Sequence, residues 1–106
     1  MEFKQYQKFT HKTAIYPDES AIEYLALGLV SEAGEVAGVI KKKLRDNTYF
    51  LEVKEKLKAE LGDVCWYIAQ LCYHFDLEFE EILQANIAKL SSRKERNQLT
   101  GDGDDR

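Results

Sequence analysis

Residues 20–44 read SAIEYLALGLVSEAGEVAGVIKKKL, and this stretch decides the fold. Ser20 and Glu23 stand at capping-box spacing, and Lys41, Lys42, Lys43 and Arg45 supply positive charge where a helix end is negative. The stretch therefore predicts one long helix from about Ser20 to Leu44. Turning 100° per residue from Glu32 puts Leu25 at about 20°, Leu29 at about 60°, Val36 at about 40° and Val39 at about −20°, a single apolar stripe. Glu32 lies inside the stripe and Glu35, at about −60°, on its edge. Two carboxylates thus project from the face that should be buried.

Residues 50–74, FLEVKEKLKAELGDVCWYIAQLCYH, repeat the arrangement. With Glu60 as origin, Val53 and Leu71 fall at about 20°, Leu57 at about 60°, Val64 at about 40° and Tyr67 at about −20°, with Asp63 at about −60°. The short connection around Asp46-Asn47-Thr48 makes the two helices antiparallel neighbours whose apolar faces meet. The four acids are then expected to converge.

Outward from this hairpin, Phe3, Tyr6, Phe9 and Thr10 predict a short amphipathic helix over 3–13. Phe79, Ile82, Leu83, Ile87 and Leu90 predict a fourth, from Leu77 or Glu78 to Arg96, with Asp76 as its cap. No strand-like alternation of useful length occurs. The expectation is one all-α domain over 1–106, an antiparallel bundle of about four helices, with a mobile tail at 99–106. Helices of about 25 residues span roughly 37 Å and leave a thin core in one chain, so a homodimer or homotetramer is expected to complete it.

The chain has 106 residues, 15 Lys and Arg against 19 Asp and Glu, and a net charge of −4. That balance argues against gripping a nucleic acid backbone, which needs cations to neutralise phosphates. No apolar run approaches the roughly 20 residues that span a bilayer, and Met1-Glu2-Phe3-Lys4 lacks the order of a signal peptide, so no membrane contact and a cytoplasmic location are expected. Cys65 and Cys72, about 10 Å apart along one helix, exceed the reach of a disulfide and read as reduced core thiols. His11 and His74 stand far from any zinc-ligand cluster.

Four inward carboxylates repel and resist desolvation, so something positive belongs among them. Lys or Arg from another helix or subunit would serve, or the acids face solvent. The sharper reading is a divalent cation: hard oxygen ligands without His or Cys select Mg²⁺ or Mn²⁺, commonly in company with substrate phosphates. A di-iron bundle would need Glu-x-x-His pairs, and positions 35 and 63 are Glu and Asp.

Glu32-Ala33-Gly34-Glu35, a spacer of 24 residues, and Glu60-Leu61-Gly62-Asp63-Val64-Cys65-Trp66-Tyr67 together resemble the signature of the MazG-like, all-α nucleoside triphosphate pyrophosphohydrolases. The likeness continues through Asn86-Ile87-Ala88-Lys89-Leu90, Arg93 and Gly101-Asp102-Gly103-Asp104, covering roughly 20–106. Ser31 departs from it, since many members carry a further Glu there. The resemblance implies hydrolysis of a (deoxy)nucleoside triphosphate between the α and β phosphates, giving monophosphate and pyrophosphate, with Glu32, Glu35, Glu60 and Asp63 as Mg²⁺ ligands. Glu32 or Glu35 is the candidate for taking the proton of the attacking water. Lys42, from the basic last turn, and Asn86, Lys89 and Arg93, which share one face of the fourth helix, are candidate phosphate contacts. Tyr67, one turn beyond Asp63, is a candidate for the sugar or the metal surroundings. Trp66, off the stripe, is a candidate for base stacking or a subunit contact. The competing class is a non-catalytic helical dimerisation or nucleotide-binding regulatory module.

Overall fold

The computed structural model describes all of residues 1–106. Four α-helices follow one another: α1 (Phe3–Lys12), α2 (Ala21–Asp46), α3 (Phe50–His74) and α4 (Phe79–Glu95), with a single 3-10 turn, Asp18–Ser20, leading into α2. The all-α, four-helix expectation holds, and no helix is long and apolar enough to cross a membrane.

The stripes on α2 and α3 face each other and form the main helix–helix contact. Leu25 and Val53 are buried, while Leu29, Val36, Val39, Leu57, Val64 and Leu71 are half-buried. Asn47 ends α2 in the left-handed conformation (φ 50°, ψ 47°), donating its N–H to the Lys43 carbonyl at 2.9 Å, and so turns the chain back within three residues. Close packing also fixes one glycine. A Cβ on Gly28 would stand 2.7 Å from Tyr67 Cδ1 and nearer still to the far edge of that ring.

Two expected caps are corrected. Ser20 does precede α2, but its backbone (φ −126°, ψ 26°) is not the extended form a capping hydroxyl needs, and its side chain makes no cap bond. Asp76 does not cap α4. It takes φ 53° in the preceding turn, Glu78 holds the cap position, and the bond comes from another helix. Gln7 of α1 accepts from the Phe79 N–H at 3.0 Å and donates to the Leu77 carbonyl at 3.2 Å. Phe3 stacks on Phe79, and Lys4 pairs with Glu78 at 3.3 Å, so α1 sets the start of α4.

α1 is bound to α3 by a buried polar chain whose direction can be counted. Gln70 Nε2 donates to Thr10 Oγ1 (2.8 Å), and Thr10 Oγ1 donates to the Gln7 carbonyl (2.7 Å). Gln70 Oε1 is therefore the acceptor for the one proton of Tyr16 (2.6 Å), which leaves His74 Nε2 to donate to the Tyr16 oxygen (2.7 Å). Gln70 and Thr10 are fully buried, so this pairing offsets a desolvation cost that unpaired amide and hydroxyl groups would leave standing. Trp66 Nε1 donates to Thr13 Oγ1 at 2.8 Å, which commits its polar edge to the end of α1. Cys65 and Cys72 are free thiols. Residues 99–106 lie back against α4, where Lys89 and Arg93 hydrogen-bond Asp104 and Arg96 donates to the Arg106 carbonyl.

Candidate metal centre

Facing stripes bring Glu32 of α2 and Glu60 and Asp63 of α3 together, with one carboxylate oxygen from each lying within 4.8 Å of the others. Glu32 and Glu60 are half-buried and Asp63 is exposed. No Lys or Arg pairs with any of them, nor with Glu35, within 4.0 Å. Within this chain the acids are thus not neutralised by ion pairs. Burial raises the Glu32 pKa above its ordinary value, and the neighbouring Asp63 and Glu60 carboxylates, then Glu35, add to the rise. An all-oxygen, multiply anionic donor set lacking a counter-ion fits a hard divalent cation.

Glu35 stands outside this trio. It is exposed and lines a cleft of about 290 Å³ with Lys42, Thr48, Val53, Lys56 and Glu60. Glu60 belongs to both groups, so the cleft opens directly beside the carboxylates and carries two cations at its wall. Lys42 is among the phosphate-contact candidates of the sequence. Lys56 is not, although it lies one turn before Glu60 at about −40° on the same stripe, which was the available signal. In the structure it also pairs with Glu52 at 3.1 Å.

Tyr67 borders the acids. Burial, its neighbour Tyr24 and the nearby Glu32 and Asp63 charges all push its hydroxyl pKa up. Its ring meets Trp66 edge-on at 5.0 Å and lies 6.4 Å from Tyr24. His11 stacks on Tyr73 at 4.0 Å, and both belong to a separate hollow with Tyr16, Asp18 and His74. α4 makes no contact with α2 and contributes no residue to the cleft, so one chain does not bring Asn86, Lys89 and Arg93 to the carboxylates. Asn86 is exposed, and Lys89 and Arg93 instead hold Asp104 of the tail.

The Glu32 shift fixes a pH dependence. A carboxyl whose folded pKa is raised contributes stability below its unfolded value, near 4.5, and loses that contribution as pH rises through the folded value. Divalent cations bind only the deprotonated acids. Added Mg²⁺ is therefore expected to raise Tm more at about pH 8 than at about pH 5. Thermal melts with Mg²⁺ or EDTA at both pH values check this, and equal increments would contradict it.

Among known proteins, the chain is 46% identical over 109 residues to the "Gene 37 protein" of Mycobacterium phage L5, covering 95% of this chain and 96% of that protein. No solved structure matches it. The profile of the MazG nucleotide pyrophosphohydrolase domain matches residues 20–97, a span that takes in α2, α3, both acid pairs and α4. With the acidic cluster, that match supports a general pyrophosphohydrolase-like function. The chain belongs to the MazG nucleotide pyrophosphohydrolase domain family.

Proposed function

We propose that this protein is a Mg²⁺-dependent hydrolase that cleaves (deoxy)nucleoside triphosphates between the α and β phosphates, releasing nucleoside monophosphate and pyrophosphate. The observation that carries the reading is the group of three carboxylates on facing helices, without a counter-cation, in a chain of this family. Glu32, Glu60 and Asp63 form the core of the metal-holding set, with Glu35 its fourth member. Bound Mg²⁺ or Mn²⁺ would neutralise phosphate charge and acidify water.

The remaining work falls to side chains. Glu35 lies outside the tight trio and at the cleft, which suits it to accept a proton from the attacking water, with Glu32 the other candidate. Lys42 and Lys56 present ammonium groups to phosphates in the same cleft. Tyr67, whose hydroxyl feels the Glu32 and Asp63 charges, borders the carboxylates and meets the sugar or the metal surroundings.

Asn86, Lys89 and Arg93 serve this reaction across a boundary between copies of the chain. In support, the radius of gyration is 16.7 Å, against roughly 13 Å for a compact chain of this length. Leu27 and Val30 on α2 and Ile87 on α4 are largely exposed. A homodimer or homotetramer would cover them. The free thiols suit a reducing compartment, and we place the activity in the cytoplasm.

The test is Mg²⁺-dependent pyrophosphate release from a panel of ribo- and deoxynucleoside triphosphates, with EDTA and Glu35→Gln as controls. Equimolar monophosphate and pyrophosphate, lost in both controls, is the expected result. Nucleotide binding without turnover by any of them would overturn it in favour of a binding module.

A further inference from the structure

The two cations of α4 that the proposed reaction would use are held by the chain's own C-terminus. Lys89 Nζ donates to Asp104 Oδ1 at 2.9 Å, and Arg93 Nη2 reaches the same oxygen at 3.3 Å while also donating to the Asp104 carbonyl. The tail is fastened on both sides of that contact. Arg96 Nη2 donates to the Arg106 carbonyl at 2.8 Å, and the Arg106 guanidinium donates to the carbonyls of Gln98, Leu99 and Gly103 at 3.1, 3.1 and 2.6 Å. Gly101 (φ +116°) and Gly103 (φ +89°) permit the reversal that brings Asp104 back onto the helix.

The two partners are unequally committed. Arg93 is 5% exposed, yet both of its contacts fall on Nη2, and its Nε is buried with no partner. A desolvated guanidinium is thus only partly satisfied. The Asp104 side chain is 81% exposed, and its pairing with Lys89 is of the solvent-screened kind that contributes little. Lys89 and Arg93 hold the Asp104 carboxyl below its ordinary range, so it is an anion at neutral pH. The arrangement is a demanding cation pair whose occupant is held weakly through its carboxylate. A polyphosphate, with more oxygens and more charge, is the stronger partner for that pair.

We propose that residues 99–106 are an internal competitor for substrate: Asp104 occupies the seat on Lys89 and Arg93 that a substrate phosphate takes, so nucleotide binds in exchange for release of the tail. The inference rests on Lys89 and Arg93 contacting phosphate in the proposed reaction. It differs from a tail that orders over bound substrate, because here tail and phosphate exclude each other.

The experiment uses the full chain, Asp104→Asn, a chain ending at Gln98, and Lys89→Met, with inorganic tripolyphosphate in Mg²⁺ as the probe and nucleotide kinetics alongside. Asp104→Asn keeps an acceptor and loses the charge. It is expected to tighten tripolyphosphate binding and lower KM by about twofold to fivefold, the range of an exposed ion pair, with kcat unchanged. The shortened chain should match it, and 15N relaxation should show residues 99–106 of the full chain losing order when tripolyphosphate is added. Weaker binding by Asp104→Asn, or a tail that keeps its order, would overturn the competition and make the tail a brace for Arg93. If Lys89→Met leaves tripolyphosphate binding untouched, the phosphate-contact reading itself fails, and the exchange inference with it.

Discussion

Asp63→Asn is expected to abolish metal-dependent pyrophosphate release while raising the melting temperature of the metal-free protein. Asp63 supplies one of three oxygens that lie within 4.8 Å of one another, and its charge is the foremost neighbouring contributor to the raised Glu32 pKa. Replacing the carboxylate by an amide of the same shape removes a ligand charge, and loss of even an outer-shell partner of a metal commonly costs 10–100-fold. A direct ligand should cost more than about a hundredfold in kcat/KM. The same change relieves like-charge repulsion at Glu32, so metal-free stability should rise and the stabilisation by added Mg²⁺ should shrink. Turnover assays and melts with and without EDTA read both halves. Undiminished Mg²⁺-dependent turnover in a folded variant would remove Asp63 from the metal site.

Gly28→Val is expected to carry the largest stability loss. The position a Cβ would take is already filled by the Tyr67 ring, which is boxed in by Trp66 and Tyr24 and cannot swing away freely. Overpacking of this kind costs about 1–3 kcal/mol, and a β-branched side chain in a closed helix contact belongs at the upper end. At roughly 4–8 °C per kcal/mol for a domain near this size, Tm should fall by more than about 10 °C. The collision names its own partner, so the loss should be strongly non-additive: Gly28→Val with Tyr67→Ala should fall well short of the two single losses combined. Additive losses would mean that another neighbour opposes the valine.

The hairpin was legible because its period is long and its violations are regular. Leu25, Leu29, Val36 and Val39 face Val53, Leu57, Val64 and Leu71, and the same angles placed Glu32 and Glu60 between the helices. Angle alone did not separate Glu35 from Asp63, which share the same offset. In an antiparallel pair a step of three residues, about 4.5 Å, moves in opposite directions on the two helices. Asp63 therefore steps away from the turn and joins Glu32, whereas Glu35 steps toward the turn and the cleft that Lys42 and Lys56 also line. That axial register is set by tertiary packing. The polar chain of Thr10, Tyr16, Gln70 and His74 was hidden for a different reason: Thr10 falls on the stripe of α1, but a binary pattern assigns Gln to the surface, and only its three-dimensional partners reveal Gln70 as core. Gln7 as the cap of α4 is equally invisible locally, because it lies 72 residues from the N–H it satisfies.

The bonds made by Gln7, Thr10 and Thr13 to α3 and α4 span sequence separations of 53 to 72 residues, while the α2–α3 hairpin closes through a turn of three. Closing long loops costs chain entropy before any contact repays it, so the hairpin and its carboxylates can form early and α1 docks late. Until α1 docks, α4 lacks its cap and its bearing on the rest of the molecule. The order of assembly thus runs against the order along the chain: α1, made before the hairpin, is among the last elements to settle, and on it depends where the basic face of α4 points.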